Sequence, residues 1–134
     1  DIEHVWGCGE DAAKQAFALM SYCGVDYIHT AEPKINDAAF SGSAPLSELA
    51  KKYSGLPVIA NGGVSEPEIA NITLKNEQAD FVALGKIALA NQDWPAVVKA
   101  EGTLNAFDFL MLSPIANLSS AKNYFSDQLI KMKS

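Results

Sequence analysis

Two stretches decide the fold: Leu56-Pro57-Val58-Ile59-Ala60-Asn61-Gly62-Gly63-Val64 and, further along, Ala79-Asp80-Phe81-Val82-Ala83-Leu84-Gly85-Lys86. Each holds a short apolar run, rich in branched or aromatic residues, that is closed by glycine. Runs of about five such residues between turn signals predict buried strands, here over Leu56–Ala60 and Asp80–Leu84. Val25-Asp26-Tyr27-Ile28-His29, which follows Gly24, predicts a third strand with Tyr27 in the core.

Helical spacing fills the intervals. Between Asp11 and Tyr22, Ala13, Phe17 and Met20 share one face, and Gly24 stands just past the end as a stop. Leu46, Leu49, Ala50 and Tyr53 fall at i, i+3, i+4 and i+7, with Gly55 as the terminator. Ser65-Glu66-Pro67-Glu68 has capping-box spacing with proline in the first turn, and Ile69, Ile72 and Leu74 supply the apolar side of the helix that follows. Asp93 caps a short helix through Trp94, Val97 and Val98 that Gly102 ends, and the tail from Ser119 repeats Ala121, Tyr124, Phe125 and Gln128 at helical spacing. Strands alternating with helices predict right-handed βαβ units and a parallel sheet. Asp26 and Asp80 occupy matching strand starts, the end that serves stability. Residues 31–44 form a long loop after the first strand, where such folds carry their chemistry.

The chemical signal lies at the two glycine turns. Glycine lets a backbone approach a ligand closely, and a helix start presents unpaired N–H groups. Asn61, Gly62 and Gly63 with Gly85 and Lys86 therefore predict an anion pocket at the C-terminal ends of neighbouring strands, where barrel enzymes hold phosphate. Glu32, Lys34 and Asp37 are candidates for the mouth of the site, though solvated loop charges are the default. For His29, a histidine satisfied at the sheet end outweighs a catalytic one.

In this order and spacing, the two stretches together with Leu89-Ala90-Asn91-Gln92-Asp93-Trp94-Pro95 resemble the Old Yellow Enzyme family of NAD(P)H:flavin oxidoreductases. Gly24–His29 is similar to that family's sixth strand, and the resemblance covers residues 11–105. It implies an α/β fold: the C-terminal part of a TIM (β/α)8 barrel, about three parallel strands (strands 6–8) with flanking helices. It also implies FMN as cofactor and NAD(P)H as reductant, with hydride passed through the flavin to a small-molecule acceptor such as an activated alkene. Asn61, Gly62, Gly63, Gly85 and Lys86 then hold the FMN phosphate, largely through backbone N–H groups. The family usually has arginine where Lys86 stands, and lysine keeps the charge but not the bidentate fork. Gln92 replaces a usual proline. The family's flavin-ring contacts, its substrate-anchoring His/Asn pair and its proton-donating tyrosine lie upstream of this stretch, so the chain by itself is expected to be inactive.

Composition narrows the alternatives. The 134 residues suffice for a single domain, residues 1–134. A formal net charge of -6 excludes a broad surface for nucleic acid or anionic membrane. No apolar run is long enough to span a bilayer. Asp1–Gly7 lacks the basic start and apolar centre of a signal peptide. Cys8 and Cys23 match no metal spacing and are expected as two buried or unremarkable thiols, in a reducing, cytoplasmic setting. Two other readings stay open. One is an inactive half-barrel that self-associates through its sheet edges, and the other a phosphate-binding barrel enzyme of another class.

Overall fold

Three parallel strands, each overlapping a predicted run, lie between residues 28 and 83. The computed structural model describes residues 7–131, so Asp1–Trp6, most of the stretch read for a leader, lies outside the described residues. Contacts divide the chain into two compact units, Asp1–Gly85 and Lys86–Ser134.

The first unit runs α1 (Gly9–Tyr22), β1 (Ile28–Ala31), α2 (Leu46–Ser54), β2 (Val58–Asn61), α3 (Pro67–Lys75) and β3 (Phe81–Ala83). The sheet is parallel throughout, in the order β1-β2-β3. All three strands sit later or shorter than the sequence predicts. The first differs most: pairing begins only where the Ile28 N–H donates to the Pro57 carbonyl at 3.0 Å, which sets Ile28 opposite Val58. Gly24, at φ 76°, turns the chain out of α1, and Val25–Tyr27 cross to the sheet outside the ladder. Tyr27 is therefore 57% exposed rather than part of the core.

Register sorts the strand residues onto two faces. Ile28, Thr30, Val58 and Ala60 are buried on one face, beneath the helices. There Phe17 and Ala13 of α1, Leu49 and Ala50 of α2, and Ile35, Val64 and Ala79 from the connections complete the core. Full burial of a side chain such as Leu49 stabilises the fold by about 2 kcal/mol. The other face carries His29, Ile59 and Phe81 in one row and Ala31, Asn61 and Ala83 in the next. His29 and Ala31 are exposed there, and Phe81 is 60% exposed.

Helix ends follow elementary capping only in part, and α1, α2 and α3 all start without a side-chain cap bond. Gly55, at φ 67°, closes α2 as expected, its N–H bonding the Lys51 carbonyl at 3.0 Å. The Ser65 capping box does not form: α3 starts one residue after Glu66, no side chain caps it, and the Ser65 N–H turns back to the Gly63 carbonyl. The buried side of α3 is also displaced. Thr73 is fully buried, while Ile72 and Leu74 are 39% and 42% exposed, because Thr73 bonds Asn36 and the Ile69 carbonyl. Met20, expected on the apolar face of α1, is 38% exposed.

The second unit contains α4 (Lys86–Ala90), α5 (Trp94–Lys99), a 3-10 turn at Phe109–Leu112 and α6 (Leu118–Lys131). Asp93 precedes α5 without a side-chain capping bond, and the helix ends at Lys99, before Gly102. Glu101, at φ 52°, takes a left-handed conformation just before Gly102, the residue read as the end of the helix. Buried Asn91 stitches the following loop: its Nδ2 donates to the Ile87 and Asn105 carbonyls at 2.9 and 3.0 Å, and its Oδ1 accepts from the Asn105 N–H at 2.8 Å. Asp108 accepts from the Leu110 N–H at 2.9 Å and from the Tyr124 hydroxyl at 3.1 Å, tying the 3-10 turn to α6.

Candidate anion site at the C-terminal edge of the sheet

Asn61 is the last residue of β2 and faces Ala31 on one side and Ala83 on the other. Its Nδ2 donates to the Ala83 carbonyl at 3.0 Å, so side chain and ladder together join β2 to β3 at this edge. The two glycine turns therefore leave neighbouring strands at the same end of the sheet, as the sequence reading requires.

What the first turn admits is not what glycine alone suggests. Gly62 has φ 142° and Gly63 φ 64°. A side chain on Gly62 would collide with the Glu32 carbonyl, and one on Gly63 would place its Cβ 2.6 Å from the Pro33 carbonyl oxygen. The Glu32 N–H donates to the Asn61 carbonyl at 2.9 Å, and the Ile35 N–H to the Gly62 carbonyl at 3.2 Å. These glycines are thus needed first to let the loop after β1 lie against the elbow. Gly85 differs: apart from its two chain neighbours, nothing stands within 4 Å of the place a side chain would take. Its Cα face is open to an approaching group.

Two cations belong to these segments. Lys34 crosses Gly63, with its Cγ 3.3 Å from where that residue's Cβ would stand, and it is exposed. Lys86, the residue after Gly85, is exposed and begins α4, its Nζ lying 5.0 Å from the Phe109 ring centroid.

Glu32 is the unusual group. Its carboxyl is raised to about 7 as the net of opposing causes: burial raises it most, the N–H groups of Leu46 and Ser47 lower it, and the nearby charge of Asp37 raises it. Its Oε2 accepts from the Leu46 N–H at 3.4 Å, at the start of α2. Its Oε1 is buried with no hydrogen-bond partner, as are the hydroxyls of Thr30 and Ser47. Sequence reasoning placed Glu32 in the loop without finding its task. The available signal was Pro45, which stands at the cap position of α2 and offers no side-chain acceptor. A helix begun that way leaves its first N–H groups for a remote acceptor to satisfy.

The opposite edge is built for holding. Asp80 accepts from Lys51 Nζ at 2.8 Å and from the Val58 N–H at 2.8 Å, which draws its carboxyl below the ordinary value. His29 lies exposed on the uncovered face, and Cys8 and Cys23 are free and exposed rather than buried. Among the described residues no group of three His, Cys, Asp or Glu could hold a metal ion. No helix among them is long and apolar enough to cross a membrane.

Comparison with known proteins defines the class. The model of the NADH:flavin oxidoreductase / NADH oxidase family matches residues 8–105, and the chain belongs to that family. An NADH oxidase of Thermoanaerobacter brockii is 42% identical over 60 residues, which are 45% of this chain and 9% of that protein. A bilirubin reductase of Clostridium symbiosum is 30% identical over 90 residues, 58% of this chain and 24% of that one. Among solved structures, the old yellow enzyme homologue of Zymomonas mobilis superposes with a TM-score of 0.66 at 19% identity, over 86% of this chain and 32% of that protein. The three parallel strands and their helices correspond to one portion of such a barrel. The chain spans about a third or less of the length of these relatives.

Proposed function

We infer that the chain supplies the phosphate end of an FMN site in an NAD(P)H-dependent flavin oxidoreductase. Asn61, Gly62, Gly63 and Gly85 offer backbone N–H groups to the phosphate, and Lys86, next in the chain, adds the charge. The observation that carries this reading is the shared edge: Asn61 pairs with Ala83, so both glycine turns emerge side by side. The residues fit a phosphate, since Gly85 leaves open the space that a side chain would fill. Bound there, FMN supplies hydride chemistry between NAD(P)H and a small-molecule acceptor, and the residues of this chain do the anchoring. Two free thiols suit a reducing, cytoplasmic setting.

The test is a titration with FMN and with riboflavin, which lacks the phosphate, followed by quenching of flavin fluorescence. FMN is expected to bind at least about tenfold more tightly than riboflavin, and Lys86→Ala to remove most of that advantage. Equal affinities for the two flavins would refute the phosphate assignment.

The uncovered face with His29, Ile59 and Phe81, together with the free edges of β1 and β3, favours a second reading: an inactive assembly in which copies cover one another. Light scattering separates the two, because a monomer that binds FMN excludes it.

A further inference from the structure

Glu32 is joined to the elbow and to α2 by different parts of the same residue. Its N–H holds the Asn61 carbonyl, and its own carbonyl occupies the space beside Gly62 that forces glycine there. Its carboxyl turns to the covered side of the sheet, onto the first turn of α2. Thr30, two residues earlier on the same face of β1, and Ser47, in the first turn of α2, bring two further buried polar atoms without partners. Neither hydroxyl is hydrogen-bonded to the carboxyl. The N–H groups of Leu46 and Ser47 can only donate and favour the ionised form, whereas burial opposes it strongly enough to bring the balance to about 7.

We propose that the Glu32 carboxyl is a proton-linked gate on the anion site of the Asn61–Gly62–Gly63 elbow, admitting an oxyanion when neutral and opposing it when ionised. The gate rests on the reading of that elbow as an anion site. Its physics is like-charge repulsion across a partly buried interval, where water screens poorly. By linkage, an anion that binds better to the protonated form must in turn raise the proton affinity of Glu32. The surrounding charges do not duplicate this effect. Asp37, on the same loop, is acidic and already contributes to the upward displacement. On α2, Glu48 is engaged by Gln78. Asn61, Gly62 and Gly63 carry no charge. Lys34 is exposed to solvent, and His29 lies on the other face of β1.

The experiment measures sulfate affinity of the 134-residue chain between pH 6 and pH 8, a range in which sulfate itself does not titrate. Sulfate is expected to bind about fivefold more weakly at the upper end, and Glu32→Gln to hold the low-pH affinity throughout. In parallel, carbon-detected NMR of the unsubstituted chain should show the Glu32 carboxyl titrating near neutrality and moving upward with sulfate, a readout that needs no variant to fold. A slope that survives in E32Q, a variant that binds more weakly than the parent at pH 6, or a carboxyl unmoved by sulfate at saturation would each overturn the gate alone. Absence of sulfate binding at every pH, with Glu32 still titrating near neutrality, would instead overturn the anion-site reading and the gate with it.

Discussion

The two ends of the same short sheet are built on opposite plans. At the N-terminal end, one acidic side chain closes the structure: Asp80 satisfies the Val58 N–H and the Lys51 ammonium together. At the C-terminal end, side chains are removed, main chain lies against main chain, and a buried carboxyl keeps one oxygen without a partner. The first end is held by direct side-chain contacts of the partly exposed Asp80 and Lys51. The second is packed main chain against main chain, and it is the end to which we assign the anion site, in keeping with the division of labour in barrel folds.

Substitutions can break or sharpen this contrast. Gly62→Ala should have the largest effect, about 4 kcal/mol or more, because the new methyl meets a carbonyl that is itself hydrogen-bonded through its residue to Asn61. Urea unfolding would measure it, and a loss below about 1 kcal/mol would show that the elbow relaxes freely. Gly63→Ala, with φ 64° and a 2.6 Å approach to the Pro33 carbonyl oxygen, should cost about 2 kcal/mol in the same assay. Asp80→Ala should cost about 1–2 kcal/mol near neutral pH. Its pH dependence has a definite sign. The folded value lies below the ordinary 3.8, so the contribution is present above 3.8 and fades as the pH falls through the folded value. The gap between parent and variant should accordingly close in acid, and a gap that widened there would contradict the assigned bond. Tyr27→Ser, at the same end but outside the ladder, should shift stability by no more than about 0.5 kcal/mol.

How much of this was legible in the residues follows from the same physics. Strand identity and the parallel βα order were readable because Val58–Asn61 and Phe81–Ala83 are short apolar runs ended by glycine. The register was not. It depends on where Ile28 meets Pro57 across the sheet, a long-range pairing that no local run encodes, and so Tyr27 was misplaced. Gly55 was readable as a stop because a left-handed terminus has one preferred residue, whereas the Ser65 cap failed because the carbonyl of Gly63 claimed the Ser65 N–H. Gly62 and Gly63 were readable as a turn after the strand, but what fills the glycine space is the loop after β1, which lies thirty residues earlier in the chain.

The sidedness of the sheet has a practical consequence for anyone handling the protein. With α1, α2 and α3 on one side and Phe81 standing 60% exposed on the other, the native chain offers a ready surface to apolar dyes. Anilinonaphthalene sulfonate should fluoresce with the folded protein nearly as brightly as with a loosened one, so staining is a poor gauge of folding here. Near-ultraviolet ellipticity, which reads fixed aromatic packing, is the sounder criterion.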